Sequence, residues 1–451
     1  MRNPPQDSLR GPDGAAGGDG AHEYTFARPI TADAAAPGDS YEIPPLARNH
    51  AFRILWIGQS LAMLCEAMAS VSVILFVLHS TGSVVQMGAV SATASISHLL
   101  ALVLGGGLAD RHRLRLMIFC DIVRALLYGS LVAVVATHQP IVPIIYVVMA
   151  LTSATSTWFN VAFQTAVKDM VRPSDLLAAN ARMQGVGGLV SAIGPVLGGI
   201  VCGVIGHAGA FGLMTASFFL SGVSLLLIRR RPSSFRESPA PAGFAMSSLP
   251  RGFRYIVRDP LLRVTVPLTW LLVVITAGGQ ELVIYQLKHG LGFTDVAVGV
   301  TLGGSCVGIV IAALVTPRLH RRFGLVLTAL VTLALEGASL VAVSWVVHLV
   351  SCIAVGMGFL FGERVRMIVV GSAEQERVPH ETLGSVVAAK WLFSGLVAPL
   401  AVGFGAGAAG RWGAPTVLGV SGWIMIVLAA VLLVCWLLRR RSGERAQIPW
   451  S

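Results

Sequence analysis

Twelve stretches of the chain are apolar over nearly the whole length needed to cross a bilayer, and no soluble fold can absorb that many. They run approximately over 53–78, 84–108, 114–136, 141–163, 182–206 and 209–228, then 264–287, 296–317, 325–345, 348–370, 383–407 and 414–438. Only 12% of residues are charged, against about a quarter in a soluble domain, and mean hydropathy is +0.74. The expected fold is an all-α membrane protein with twelve transmembrane helices in two pseudo-symmetric six-helix bundles. Residues 1–46 are rich in Gly, Ala, Pro and Asp without an apolar run and read as a disordered cytoplasmic tail, not a signal peptide. An N-terminal bundle over 47–231, a linker over 232–258, a C-terminal bundle over 259–438 and a second tail over 439–451 complete the division.

Charge placement gives orientation. Arg48, Arg111, Arg113, Arg115, Lys168, Arg172, Arg318, Arg321, Arg322, Arg377 and Arg439–Arg441 fall in alternate loops and both tails, while the opposite loops hold only Lys288 and Arg411. Both termini are therefore expected in the cytoplasm. The net charge of +11 comes from arginines at helix ends, not from one basic stripe with aromatics, so membrane lipid is the expected partner and nucleic acid is not. Arginine over lysine and abundant Gly and Ala suggest a bacterial, GC-rich genome. The six cysteines all lie in apolar segments without metal-site spacing. The linker ends in an amphipathic piece, Arg251 to Val257, suited to the membrane surface.

Weak internal repeats support duplicated halves. Arg48 and Arg53 match Arg258 and Arg263 at an offset of 210, and Pro173 and Asp175 match Pro379 and Glu381 at 206.

Nucleotide hydrolysis is disfavoured because Lys168, Lys288 and Lys390 sit in no Gly-Lys-Ser/Thr loop. HExxH and GxSxG are absent, so the chain is not expected to be an enzyme, and no metal or cofactor is implied. An ion gradient remains as energy source, and it must act through groups that titrate inside the membrane. Glu66 is about thirteen residues into the first helix, roughly 20 Å deep. With Glu281 and Glu336 it forms the candidate proton-coupling set. Asp121 and Arg124, spaced i, i+3 on one helix face, and Glu363 with Arg366 read as structural charge pairs. Gly194-Pro195-Val196-Leu197-Gly198-Gly199 combines a helix kink with small residues for close packing. Trp158, Asn160, Gln164 and Trp391 are the candidate cavity residues, fit for a small, partly hydrophobic substrate.

Between the second and third apolar stretches stands Gly106-Gly107-Leu108-Ala109-Asp110-Arg111. This resembles the signature of the major facilitator superfamily, G-x-L-a-D-r-x-G-r-r, departing from it at Arg113 and Leu114. Asp121-x-x-Arg124-Ala125 and Ala178-Ala179-Asn180-Ala181 resemble the drug–proton antiporter branch that includes macrolide-efflux and enterobactin-export proteins. Gly194-Pro195-x-x-Gly198-Gly199 is similar to the antiporter motif of the fifth helix. The resemblance implies a monomeric plasma-membrane transporter of a bacterium that exports a drug, antibiotic or siderophore-like compound in exchange for protons. It implies alternating access, with Asp110, Arg111 and Arg113 gating against Gly384 and Ser385 and Glu66 carrying the proton. An uptake symporter is the near alternative, and a non-transporting membrane sensor or scaffold the remote one.

Overall fold

A computed structural model describes residues 44–46, 48–104, 113–137, 142–172, 175–229, 249–276 and 278–441. Among them there is no strand. The helices are α1 (His50–Thr81), α2 (Val84–Leu104), α3 (Arg113–Ala136), α4 (Val142–Met170) and α5 (Leu176–Arg229), followed by α6 (Leu249–Arg258), α7 (Leu262–Thr276) and α8 (Gly279–Tyr285). A π-helical turn, Gln286–Gly290, leads to α9 (Asp295–Ser305), α10 (Val307–Val343), α11 (Leu349–Arg377), α12 (His380–Trp412) and α13 (Ala414–Arg441).

Helix ends follow from local chemistry. The Asn49 side chain caps α1 by accepting from the Phe52 N–H, and its amide donates to the Met170 carbonyl of α4. At the other end Gly82 takes φ 63° and returns its N–H to the Leu78 carbonyl. Thr294 caps α9 by accepting from the Ala297 N–H.

Nine helical spans among the described residues are long and apolar enough to cross a membrane. Two of them, Gly185–Ile228 and Asp295–Val343, are too long for one crossing and each is broken by a glycine, Gly206 (φ 72°, ψ 174°) or Gly324 (φ 73°, ψ 179°). Only glycine occupies that backbone region without strain, so each span folds back as two passes. With the more polar α11 added, the arrangement fits twelve passes. The seventh pass is discontinuous: α7 ends at Thr276, Gly278 takes φ 77°, and α8 with its π-helical turn finishes the crossing.

The passes form two bundles. In the first, α1 packs along both limbs of α5, α3 against α4 and α5, and α2 against α4. Its cores centre on Phe76, Tyr128, Phe211 and Phe218, and on Phe52, Met117, Phe159 and Ile228. In the second, α10 packs along α11 and α13. Here α7 and α8 only graze α13, a looser arrangement than that of their counterpart α1. The surface piece of the linker, α6, does not simply lie on a bilayer. Leu249, Gly252 and Ile256 are buried against α12, with the Gly252 backbone on the Ser385 carbonyl and the Tyr255 hydroxyl donating to the Arg377 carbonyl.

Candidate functional site

The two bundles meet along α5 with α9 and α2 with α12. Gly199 and Gly299 bring the first pair together so closely that a Cβ on Gly199 would sit 2.5 Å from the Asp295 carbonyl oxygen and 2.6 Å from the Gly299 Cα. The contact continues from Gly203 against Val296 to the Cys306 thiol, 3.5 Å from the Ser191 carbonyl oxygen. That is about 12 residues, or ~18 Å of helix rise. The second pair runs from Val85 on Gly410, past Gly88 on Ala406, to Leu99 on Gly395. Both crossings start at the membrane face opposite the helix ends at His50 and Arg441 and stop short of the face that carries those ends. Nearer that face, no atom of the described residues, adjoining ones apart, lies within 4 Å of a Cβ on Gly185 or Gly188, while one on Gly187 would meet Met63.

Inside lies a cavity of about 1400 Å³, above the ~300–1,000 Å³ usual for small-molecule sites. Its wall comes from the second half of the chain except for Val71, Ser191 and Pro195. It is mostly apolar, with the rings of Phe359, Trp391, Phe404 and Trp412 and four charged side chains: Glu336, Glu363, Arg366 and Lys390.

The charges sort themselves across helices. The Arg366 guanidinium of α11 donates to both carboxylate oxygens of Glu336 on α10, Nε to Oε1 at 2.8 Å and an Nη to Oε2 at 3.1 Å, and Glu336 is wholly buried. The Lys390 ammonium donates to Glu374, which stands behind the wall. Glu363 has no hydrogen-bond or ion-pair partner among the described residues. Arg366 therefore pairs with Glu336 of the neighbouring helix and not, as its spacing alone predicts, with Glu363. Arg366 turns away from Glu363 because Gly362 lets α10 approach with its Thr332 carbonyl and Glu336 side chain.

In the first bundle Asp121 and Arg124 of α3 do pair, at 2.5 Å and fully buried. The Arg124 guanidinium lies between the rings of Phe159 and Phe218, 4.5 and 4.6 Å from their centroids. Glu66 is half-buried on α1, close enough for its charge to act on Asp121 and Tyr128, and is not in the cavity wall. Glu281 is also outside the wall, although its neighbours Gln280 and Leu282 are in it.

Of the expected cavity residues only Trp391 lines this space. Trp158 instead ties α4 to α2 by donating its indole N–H to the Ala101 carbonyl. Asn160 and Gln164 are exposed elsewhere on α4. The helix stays α-helical through Pro195, which lines the cavity, and its glycines serve contact: Gly194 and Gly198 lie on Ala67 and Met68 of α1, Gly199 on α9. Of the expected gate, Asp110 and Arg111 lie outside the described residues. Arg113 is buried at the start of α3, while Gly384 and Ser385 fall in the first turns of α12, with Ser385 buried under α6.

Two helical bundles in contact along paired helices, with a mostly apolar cavity beside the contact, are the architecture of a polytopic helical transporter. More particularly, residues 55–402 match the model of the Major Facilitator Superfamily, and the chain belongs to that superfamily. Enterobactin exporters EntS of Shigella flexneri and Shigella boydii serotype 18 are 25% and 24% identical to it over 219 residues, 48% of this chain. The chain spans about half the length of these curated relatives, 52%. Among solved structures, a bacterial homologue of the iron transporter ferroportin in an inward-facing state has 15% identity and a TM-score of 0.65 over 87% of this chain and 99% of that one. The nucleoside transporter NupG has 12% identity and a TM-score of 0.66 over 86% and 99%. At such identities the likeness is one of fold.

Proposed function

We propose that the chain exports a small lipophilic or amphiphilic compound, a drug, antibiotic or siderophore-like metabolite, across a bacterial plasma membrane by proton antiport. The observation that carries this reading is the cavity itself: large, mostly apolar, and set beside the α5–α9 crossing, whose glycine contacts lie toward the face opposite the termini. With both termini in the cytoplasm, the crossings hold the outer side together, and an exporter loads from the cytoplasmic side. Rocking of the bundles about the α5–α9 and α2–α12 crossings then exposes the cavity outside. The likeness to enterobactin exporters and the glycine-lined packing around Pro195 support export over uptake. A single chain supplies both bundles and the whole cavity, so a monomer is the proposed working unit.

The test is transport in everted vesicles with an acid lumen, using a panel of cationic dyes, macrolides and siderophores. Accumulation that a protonophore abolishes supports proton-driven export. Gradient-driven loss from preloaded everted vesicles, with no accumulation, would assign uptake instead.

A further inference from the structure

The charged groups of the cavity wall do not cancel. Glu336 and Arg366 neutralise each other, and Lys390 is held by Glu374. Arg364, beside Glu363 on α11, is not itself in the wall, and its charge acts on Cys306, the wall residue between α9 and α10. Glu363 is left as one carboxylate without a partner among the described residues, midway along α11. Phe359 is one turn before it on the same helix face, and Trp391, Phe404 and Trp412 of α12 present rings to the same space.

One unmatched negative charge in an apolar, ring-lined space is answered by one positive charge on an apolar body. Coulomb attraction is strong where water is scarce, and aromatic faces attract organic cations. An anion would meet repulsion at Glu363, and the wall's two cations are already engaged. We propose that Glu363 is the binding carboxylate for a singly charged, apolar organic cation, and that it takes up a proton when the cation leaves. The exchange balances: the cation displaces one proton from the carboxylic acid, and the ion pair that forms is neutral overall. This names the substrate class of the transport reading and rests on it for biological use, but the binding step stands without a gradient.

The experiment is equilibrium binding of tetraphenylphosphonium to the full-length chain in detergent, with proton release followed in weak buffer. The wild-type chain is expected to bind more tightly as pH rises and to release up to one proton per cation. Glu363→Gln is expected to weaken binding at least tenfold and abolish proton release. Glu363→Asp should retain both, and Glu376→Gln, exposed on the same helix, should match wild type. Thermal unfolding of each variant checks that it is folded. Absence of saturable binding by the wild-type chain, or binding by folded Glu363→Gln within twofold of wild type with proton release intact, overturns the proposal. Cation binding that depends on Glu363 without transport in vesicles would overturn the exporter reading alone. Transport unchanged in Glu363→Gln would overturn this one alone.

Discussion

Arg124 is held by a carboxylate one turn away on its own helix and by two rings, one on α4 and one on α5, so its charge binds three helices at once. Removing one member of such a pair leaves the other charged and desolvated, which costs more than removing both. Arg124→Gln is expected to destabilise the chain by about 3–5 kcal/mol and Asp121→Asn/Arg124→Gln by clearly less, read from denaturant titrations in micelles. The same residues show what a sequence can and cannot tell. Asp121 and Arg124 have the same i, i+3 spacing as Glu363 and Arg366, and spacing alone predicts the same role for both. On α3 the partners meet. On α11 the close approach of α10 at Gly362 offers Arg366 a buried carboxylate with room for two hydrogen bonds, and Glu363 is left over. Which face of a helix its neighbours approach is a tertiary fact, invisible in local spacing.

Helix crossings divide into those inside a bundle and those between bundles, and glycine serves both. Gly337 of α10 and Gly422 of α13 touch within the second bundle, where a Cβ on Gly422 would lie 2.5 Å from the Gly337 carbonyl oxygen. Gly199 and Gly299 touch between bundles. A bulky side chain at Gly422 must be absorbed by the fold, so Gly422→Val is expected to lower the melting temperature by several degrees. Gly199→Ala has an escape, since the bundles can part. It is expected to lengthen the distance between spin labels placed on the loop ends of α5 and α9, with a smaller effect on melting. Apolar run length made the crossings legible in the sequence, and the Gly-Pro-x-x-Gly-Gly motif marked α5 as special. Its contact with α9 was not legible, because nothing local identifies the partner of a small-residue face. The cavity wall is not legible for the same reason: Trp158, Asn160 and Gln164 of α4 carry suitable chemistry, but α4 packs on α2 and α3.

Duplication is clearer in the backbone of the whole molecule than in its residues. Left-handed glycines end the first and seventh passes at Gly82 and Gly292, 210 positions apart, and the fifth and eleventh at Gly206 and Gly413, 207 apart. These offsets equal, or differ by one from, those of the weak sequence repeats, 210 and 206, and tie them to turns that only glycine makes easily. The halves have nevertheless diverged in packing, with α1 tight against α5 and α7–α8 loose against α13. If the resting molecule is sealed opposite its termini, a thiol in the cavity answers to one side only. In a chain with its own cysteines replaced, Ser394→Cys is expected to react with a membrane-impermeant maleimide from the side of the termini, and Thr81→Cys from the other. Equal labelling of Ser394→Cys from both sides would contradict a sealed face.

All but three of the cavity-wall residues come from the second half, and the glycines that bring α5 and α9 together, Gly199 and Gly299, are not among them. What is carried and how the bundles meet are thus written largely in different residues, with Ser191, Pro195 and Cys306 shared by both. Substitutions at Trp391 or Phe404 can alter the cargo while the rocking surfaces stay as they are. A lineage built this way can follow a changing chemical environment by small steps, without passing through forms that have lost the ability to alternate.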